Sequence, residues 1–353
     1  MLTYEQLHSL PKVDLHRHLE GSLRLETLSD IARTHGIDLL DLPTLDVESL
    51  RPHVQITNDP QNFENFLAKF GVLRHFYRSP EAVARLTYEA IVDAAADNVR
   101  YLELRFSPQA LARVRGFALG EVTDWVIEAT RQAMRVCDIE VGLIVTLVRH
   151  EGVAQGEAVA QVAFDRAEKG IIGLDLAGDE VNFSARPYRH IFDEARRKGL
   201  GVTIHAGEWT SAATVQEALD ELGAQRIGHG VRAVDDPGVL RQMRAHDATF
   251  EVCLTSNIQT GAVHHFSAHP ITALMEAGTR VTLNTDDPSV SNSCLTDEYA
   301  RAVDFLNFSY EDLRHLTLNA VDAAFLPPPR RAALRQAFTD LLAAPRPVSV
   351  AAD

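Results

Sequence analysis

Short runs of β-branched and other apolar residues alternate along the chain with longer amphipathic stretches. This alternation predicts strands that are each followed by a helix, and hence a parallel sheet. Eight βα units in one chain indicate the α/β class and a (β/α)8 TIM barrel. The predicted strands cover residues 13–16, 99–106, 140–148, 171–176, 201–205, 226–229, 249–254 and 280–285, and the predicted helices 80–97, 120–136, 152–168, 187–198, 211–222, 237–245 and 270–277.

Two regions exceed this plain repeat. About eighty residues separate the first two predicted strands, which is more than one crossover helix needs. Within them Phe63, Phe66, Leu67 and Phe70 share one face of a helix, because they are spaced i, i+3, i+4 and i+7. That face either packs on the barrel or forms a hydrophobic lid over its mouth, where Phe66 and Leu67 would contact a substrate. Two or three extra helices are also predicted after the eighth strand.

The sequence shows no internal division. No repeat, low-complexity segment or Pro/Gly-rich linker separates its first half from its second. We therefore predict a single domain over residues 1–344, followed by a frayed tail over 345–353. Hydrophobic residues make up 46% of the 353, enough for a large core.

Composition excludes several classes of function. With 34 basic against 49 acidic residues the net charge is −15, whereas a nucleic-acid-binding surface normally needs a basic patch. Three scattered cysteines are too few for a disulfide framework. No apolar run reaches the ~18 residues of a membrane span, and the first residues lack the features of a secretory signal. We expect a cytoplasmic enzyme with neither a membrane nor a nucleic acid as partner.

Histidine and aspartate recur where predicted strands end, which is the end that carries the active site in TIM barrels. His16 and His18 lie two residues apart on the first strand and so face the same side. His205 ends the fifth strand and Asp286 the eighth. Three imidazoles and one carboxylate match the protein ligands of one Zn²⁺ with a position left for water. The fourth strand, IIGLDLAG at 171–178, lacks the lysine that bridges a second metal in related barrels, so one metal per subunit is expected.

Groups suited to proton transfer lie beside these candidate ligands. Glu208 follows His205 by three residues and is either a catalytic acid or merely an acid at a helix N-terminus. His229, between Gly228 and Gly230 at the end of the sixth strand, is predicted to be the base or electrostatic partner that orients an attacking hydroxide. Hydrolytic deamination needs such a pair, because a ring nitrogen must gain a proton and the leaving amine another.

Further positions are candidates for binding a purine. Asp287, adjacent to Asp286, can accept or donate a hydrogen bond at a ring nitrogen. Gly178 can offer its backbone N–H to the ring. Ser256 and Asn257, after the seventh strand, are candidate supports for the metal ligands.

Seven motifs occur in a characteristic order: PKVDLHRHLEGSLR, YLELRFSP, GLDLAGDE, TIHAGE, RIGHG, EVCLTSN and LNTDDP. On these motifs the chain resembles, over essentially its whole length, the adenosine deaminase family of the metal-dependent amidohydrolase superfamily. The resemblance implies a (β/α)8 barrel that deaminates a purine. It also implies one Zn²⁺ on His16, His18, His205 and Asp286, with Glu208 as the acid at purine N1, His229 as the hydroxide partner, and Asp287 and Gly178 as purine contacts.

One position departs from the family pattern. Adenosine deaminases typically carry aspartate two residues after the second histidine of HxH, where it contacts ribose, and here that position is Glu20. Glutamate is more typical of adenine deaminases, whereas LNTDDPSV and NFLAKF resemble the adenosine type. We expect deamination of adenosine and 2′-deoxyadenosine, a purine nucleoside being the small-molecule partner. The alternatives are an adenine deaminase, a deaminase of a modified adenine nucleoside, and a non-enzymatic purine sensor. The sequence leaves the oligomeric state unknown.

Overall fold

The computed structural model describes residues 2–39, 42 and 44–343. Its strands form one sheet in which each strand pairs in parallel with the next along the chain. The predicted TIM barrel is thereby confirmed. The strands are β1 (Lys12–His18), β2 (Val99–Phe106), β3 (Glu140–Val148), β4 (Ile171–Ala177), β5 (Gly201–Ala206), β6 (Arg226–His229), β7 (Thr249–Val252) and β8 (Arg280–Leu283).

Helices surround this sheet and cover both of its ends. In the described ranges they are α1 (Tyr4–Ser9), α2 (Leu25–His35), α3 (Val47–Val54), α4 (Phe63–Leu73), α5 (Pro80–Ala96), α6 (Pro108–Ala112), α7 (Leu119–Met134), α8 (Val153–Phe164), α9 (Arg189–Arg197), α10 (Ala212–Asp220), α11 (Pro237–Ala245), α12 (Leu254–Gln259), α13 (Ile271–Glu276), α14 (Pro288–Ser291), α15 (Leu295–Leu306), α16 (Tyr310–Ala323) and α17 (Pro328–Ala343).

The barrel closes between β8 and β1 through candidate metal ligands. The Asp286 N–H donates to the His16 carbonyl, and the His18 N–H donates to the Asp286 carbonyl, each over 2.8 Å. Just below them the Leu15 N–H donates to the side-chain Oδ1 of Asn284 over 2.9 Å, where a sheet would place a backbone carbonyl. A side chain thus replaces the backbone in the pairing with β1 at this point, and β8 ends at Leu283, before the predicted end at residue 285.

All eight predicted strands are present, and the differences lie mainly at their ends. The seventh was predicted to run to residue 254, but β7 ends at Val252, because the chain turns into α12 at Leu254. The helix predicted over 152–168 ends as an α-helix at Phe164, and the one over 187–198 begins with a 3₁₀ turn, Arg186–Tyr188. Helix ends often tighten in this way.

The two regions beyond the repeat are helical, as predicted. The insertion after β1 contains α2 to α5, and its α4 is the helix indicated by the phenylalanine spacing. Four helices follow β8, one more than the upper prediction, because the four-residue α14 has no periodicity to reveal it. The tail at 345–353 lies outside the described residues, and the single-domain boundary at 344 stays a prediction. Among the described helices, none has the length and apolar character needed to cross a membrane.

The strands present apolar side chains outward and polar ones inward. Leu174 and Leu176 of β4 belong to the main core between sheet and helices, whereas Asp175 between them contacts Thr146 and His205 on the neighbouring strands β3 and β5. Arg105 and Arg226 are among the largest fully buried side chains of the protein. The barrel interior is therefore a charged layer beneath the mouth, and the apolar core surrounds it.

Candidate active site

Four side chains converge at the mouth of the barrel. His16, His18, His205 and Asp286 each offer one ligand atom, and these four atoms lie within 4.8 Å of one another. Asp286 Oδ1 is 3.2 Å from Nε2 of His16 and 3.4 Å from Nε2 of His18, and the Nε2 atoms of His18 and His205 are 3.3 Å apart. A tetrahedral Zn²⁺ with bonds of about 2.0 Å spaces its ligands about 3.3 Å apart. These three distances match that spacing, and a water would add a fifth ligand to the four protein groups.

Two buried carboxylates orient these imidazoles. The Nδ1–H of His16 donates to Glu251 Oε2 over 2.7 Å, and that of His205 donates to Asp175 Oδ1 over 2.9 Å. Each bond places the proton on Nδ1 and leaves the Nε2 lone pair facing the cluster, the usual arrangement around a bound metal. His16 Nε2 is buried without a hydrogen-bond partner, as expected of an atom whose partner is a metal.

Arginines in the barrel interior hold these carboxylates in turn. Arg105 donates to Glu251 over 2.8 Å and lies 3.5 Å from Asp175, so it bridges the two. Arg226 contacts Glu251 at 2.5 Å on one side and Glu103 at 2.6 Å on the other. This network was not predicted from the sequence. The only sign of it in the sequence is a charged residue inside an otherwise apolar strand, because such a residue is costly to bury unless it is paired.

Glu208 and His229 lie together beside the cluster. His229 Nε2 is 3.5 Å from Glu208 Oε2 and 3.9 Å from Asp286 Oδ2. Burial, and then the charges of Asp286 and Glu180, raise the pKa of Glu208 well above its ordinary value. The shift favours the protonated form of this carboxyl group, which is the form that a proton donor needs.

Glu180, in the motif after β4, fixes the loop that carries Glu208. Its carboxylate accepts hydrogen bonds from the backbone N–H groups of Gly207, Glu208 and Trp209 at 2.6, 3.1 and 3.0 Å. The hydroxyl of Thr210 adds another at 2.8 Å. Glu208 thus lies on a rigid turn. Its alternative role as a simple acid at a helix N-terminus does not apply, since α10 begins only at Ala212.

A chain of hydrogen bonds fixes the tautomer of His229. The Ile271 N–H donates to His269 Nδ1 over 3.2 Å, so His269 carries its proton on Nε2 and donates to Asn257 Oδ1, also over 3.2 Å. Burial lowers the pKa of His269 to about 3, which keeps this ring neutral. Asn257 Nδ2 then donates to His229 Nδ1 over 3.1 Å. The free Nε2 of His229 accordingly carries a proton and faces the cluster as a donor.

Backbone strain and close packing accompany these residues. His229 and Asp286 have φ of 62° and 64°, in the left-handed region that non-glycine residues rarely adopt. A Cβ on Gly228 would lie 3.0 Å from the His16 ring and 3.2 Å from the His205 backbone, so glycine lets the ligands meet there. Gly21 is tighter still, since a Cβ would lie 1.9 Å from Asp287 Oδ1.

A cavity of about 600 Å³ opens above the cluster. Phe66 and Leu67 of α4 form part of its wall, and Phe63 stacks on Trp209 at 4.9 Å between ring centroids. The insertion therefore covers the mouth, in line with the lid interpretation. The predicted site residues that line this cavity are His18, Glu20, Phe66, Leu67, Gly178, His205, Glu208, His229, Asp286 and Asp287.

Comparison with known proteins identifies the family. The family model described as adenosine deaminase matches residues 11–341. An adenosine deaminase of Klebsiella pneumoniae is 39% identical over 330 residues, which cover 93% of this chain and 97% of that protein. One of Aliivibrio fischeri is 36% identical over 94% and 98% of the two chains. The chain belongs to the adenosine deaminase family. It is accordingly a hydrolase of a class that generally depends on a metal.

Solved structures in this superfamily share the architecture. An adenine deaminase from Arthrobacter aurescens superposes with a TM-score of 0.85 at 28% identity, covering 95% of this chain and all of that one. An N6-methyl-AMP deaminase from Arabidopsis thaliana gives 0.83 at 27%, covering 96% and 98%. A zinc-bound amidohydrolase from Burkholderia ambifaria gives 0.85 at 25%, covering 96% and 93%.

Glu20 is the residue that departs from the aspartate expected at this position, and one of its two carboxylate oxygens has a hydrogen-bond partner. Glu20 Oε1 accepts the Ser107 N–H over 2.7 Å, and Oε2 is buried without a hydrogen-bond partner. Burial raises the pKa of Glu20 to about 7, although the Ser107 bond opposes that shift. Asp287 Oδ1 is likewise buried and unpartnered, and burial together with Asp286 and Glu20 raises the pKa of Asp287 well above its ordinary value. Both carboxyl groups thus offer unmatched polar atoms to a ligand.

Proposed function

We propose that this protein is a zinc-dependent deaminase of adenosine and 2′-deoxyadenosine, forming inosine and 2′-deoxyinosine with release of ammonia. The observation that carries the reaction type is the Glu208 carboxyl group, buried beside His229 and the cluster of candidate metal ligands. Hydrolysis at C6 of adenine needs a proton donor, a positioned nucleophile and a dry site, and these residues can supply all three. Relatives named adenosine deaminase at 36–39% identity support the same assignment.

One Zn²⁺ per subunit would be held by His16, His18, His205 and Asp286. Three nitrogens and one oxygen at tetrahedral spacing suit zinc, and the related amidohydrolase with bound zinc supports this choice. Asp286 also lies near His229 and Cys253. Burial raises the pKa of the Cys253 thiol well above its ordinary value, which disfavours the thiolate that a metal would bind, and the group with three histidines is the one proposed to hold zinc. Bound zinc would lower the pKa of a water toward ~7 and supply a nucleophile at neutral pH.

The chain's own residues then handle the protons. Glu208 would donate its proton to purine N1, which makes the adjacent C6 more electrophilic. His229, with its proton held on Nε2 by Asn257, would donate a hydrogen bond to the attacking oxygen and so direct a lone pair at C6. This favours the electrostatic alternative for His229 over the role of base. The Glu208 carboxylate would then relay the proton of the added hydroxyl group to the amine, so that the C6–N bond breaks as C6=O forms and ammonia departs. The proton released when water becomes the nucleophile would restore the Glu208 carboxyl group.

The purine would be held by groups with unmatched hydrogen-bonding capacity. Asp287, whose Oδ1 has no hydrogen-bond partner among the described residues and whose raised pKa favours the protonated form, would bond a ring nitrogen on the side away from N1. Gly178 would donate its N–H. Its φ of 94° and its position against His150, only 2.8 Å from where a Cβ would lie, require glycine there.

Glu20 decides between a nucleoside and a free base. Its unpartnered Oε2 lines the cavity, and a buried acceptor without a partner is costly unless a ligand donates to it. A ribose hydroxyl meets that need, whereas free adenine would leave the atom unmatched. Adenine is the alternative substrate. Two observations favour it: glutamate at this position is more typical of adenine deaminases, and an adenine deaminase is among the similar structures. A modified adenine nucleoside is the other, since a similar structure is an N6-methyl-AMP deaminase.

Initial rates of ammonia release from adenosine, 2′-deoxyadenosine and adenine, measured on zinc-replete enzyme, test the proposal. Adenosine is expected to be strongly preferred, and Glu20→Asp to change KM for adenosine more than for adenine. A preference for adenine would refute the nucleoside assignment. Turnover of none of the three, with zinc still bound, would leave a modified nucleoside or a purine-binding role.

A further inference from the structure

Arg74 is a cation without a counter-ion in the wall of the active-site cavity. It follows α4 directly, is half-buried and lines the cavity. Its Nε–H donates to the Phe70 carbonyl over 3.1 Å, which anchors the side chain but leaves the outer guanidinium nitrogens without protein partners. In the part of the chain that the structure describes, no carboxylate forms an ion pair with it.

The carboxylates near Arg74 hydrogen-bond other groups, although the charges of Glu151 and Glu20 still attract its guanidinium. Glu151 pairs with Arg113, so that ion pair is neutral as a unit. Glu20 accepts the Ser107 N–H, and both oxygens of Asp179 accept hydrogen bonds from Asn182, at 3.0 and 2.8 Å. A half-buried guanidinium beside a second arginine is unfavourable unless an anion joins it.

Arg74 also lies on a particular side of the cavity. Glu208 and His229 follow β5 and β6, whereas Arg74 comes from the insertion after β1, and its neighbours Arg113 and His150 follow β2 and β3. Glu20, the candidate ribose contact, is on this same side through its bond to Ser107 at the end of β2. A ribose held by Glu20 would lie on this side, and its exocyclic C5′ is the carbon through which a substituent could extend toward Arg74.

We propose that Arg74 forms an anion-binding subsite, so that the enzyme binds an adenine nucleoside with a phosphate or carboxylate on its 5′ side more tightly than adenosine itself. This inference rests on the proposed deaminase function for the placement of the purine. The planar guanidinium binds both kinds of anion through paired N–H groups. The subsite thus adds a specificity determinant that plays no part in the chemistry at C6.

Binding and turnover of matched neutral and anionic compounds test this subsite. Dissociation constants for inosine, inosine 5′-monophosphate and inosine 5′-carboxylic acid are measured by calorimetry on the zinc-loaded enzyme at fixed ionic strength. Ammonia release is followed from the three corresponding adenine compounds. The variants are Arg74→Gln and, as control, Arg78→Gln, which removes a half-buried arginine from the same segment but outside the cavity wall.

The wild-type enzyme is expected to bind at least one anionic compound more tightly than inosine. Arg74→Gln should reduce that preference about 10-fold or more, the range for a charge-assisted hydrogen bond, and Arg78→Gln should leave it unchanged. The anion with the larger Arg74-dependent gain identifies the natural group. Equal binding of the neutral and anionic compounds, or equal effects of the two substitutions, would overturn the subsite. Arg74-dependent binding without ammonia release from any compound would support the subsite and refute the deaminase proposal instead.

Discussion

Glu251 connects the metal cluster to the charged interior of the barrel, and Glu251→Gln tests whether that connection sets metal affinity. The carboxylate accepts the His16 Nδ1–H at 2.7 Å, contacts Arg105 at 2.8 Å and Arg226 at 2.5 Å, and accepts the Thr203 hydroxyl at 3.2 Å. Glutamine keeps the shape of the side chain but removes its charge. One metal ligand loses its orienting partner, and two arginines lose a shared counter-ion.

Two separate losses are expected from this substitution. Breaking a buried ion pair from one side costs about 3–5 kcal/mol of folding free energy, because a charge is left uncompensated. Loss of the carboxylate behind a ligating histidine lowers metal affinity about 10- to 100-fold, equivalent to about 1.4–2.7 kcal/mol. The first loss concerns the unfolding of the metal-free protein, and the second concerns the dissociation of zinc from the folded protein.

Glu103→Gln is the matched control. Glu103 is also fully buried and also pairs with Arg226, at 2.6 Å, but its other partners are the Tyr101 hydroxyl and the Phe325 N–H, so it touches no candidate ligand. Urea unfolding of both metal-free variants should show losses of the same class. Competition with a chromogenic chelator should show weakened zinc binding for Glu251→Gln alone. Equal zinc affinity in the wild type, Glu251→Gln and Glu103→Gln would refute the role of Glu251 in orienting His16. Equal weakening of zinc binding in both variants would refute it as well.

Three further predictions concern the chemistry. Glu208→Gln should retain zinc and inosine binding but lose turnover by about 10²- to 10⁴-fold, and wild-type ammonia release would remove Glu208 from its role as acid. Asn257→Asp would present a carboxylate to His229 Nδ1 and draw the imidazole proton from Nε2 to Nδ1. The kcat should then fall by up to ~10⁴-fold, the loss that a wrong histidine tautomer causes in serine proteases. ¹⁵N NMR of the His229 ring would have to show the proton on Nδ1, or this account of the tautomer is wrong. Gly21→Ala would collide with Asp287 and should lower kcat/KM about 10- to 100-fold, whereas Gly71→Ala, which meets nothing within 4 Å, should behave as wild type.

The barrel and the cluster of candidate ligands were predictable because each has a local signature. A buried parallel strand appears as an apolar run between turns, and the candidate ligands are histidines and acids just where such runs end. His16 and His18 even share a face by their spacing alone. Closure of the barrel then brings His205 and Asp286 to them, as the fold requires.

The supporting residues were not predictable in the same way. Asp175 and His205 are 30 residues apart, and Arg105 and Glu251 are 146 apart, so the pairs form only between strands and leave no spacing to read. The helix α12 lies in a polar stretch without helical periodicity, and His269 is a lone histidine before a proline. Register and turn geometry, rather than composition, decide which of these side chains meet.

The side chains on the two sides of the cavity differ in how many hydrogen bonds hold them in place. This difference bears on how substrate preference can change in such a barrel. Glu208 is fixed through the bonds that Glu180 makes to its loop, and His229 through Asn257 and His269, so a substitution there disturbs several interactions at once. Glu20 and Arg74 each make one hydrogen bond within the described residues, at 2.7 and 3.1 Å, and each bond goes to a single backbone group. Selection for a different sugar or 5′ group is therefore expected to act on Glu20 and Arg74, with Glu208, the proposed proton donor, left intact. A difference at these positions is thus a stronger guide to the substrate than overall sequence identity.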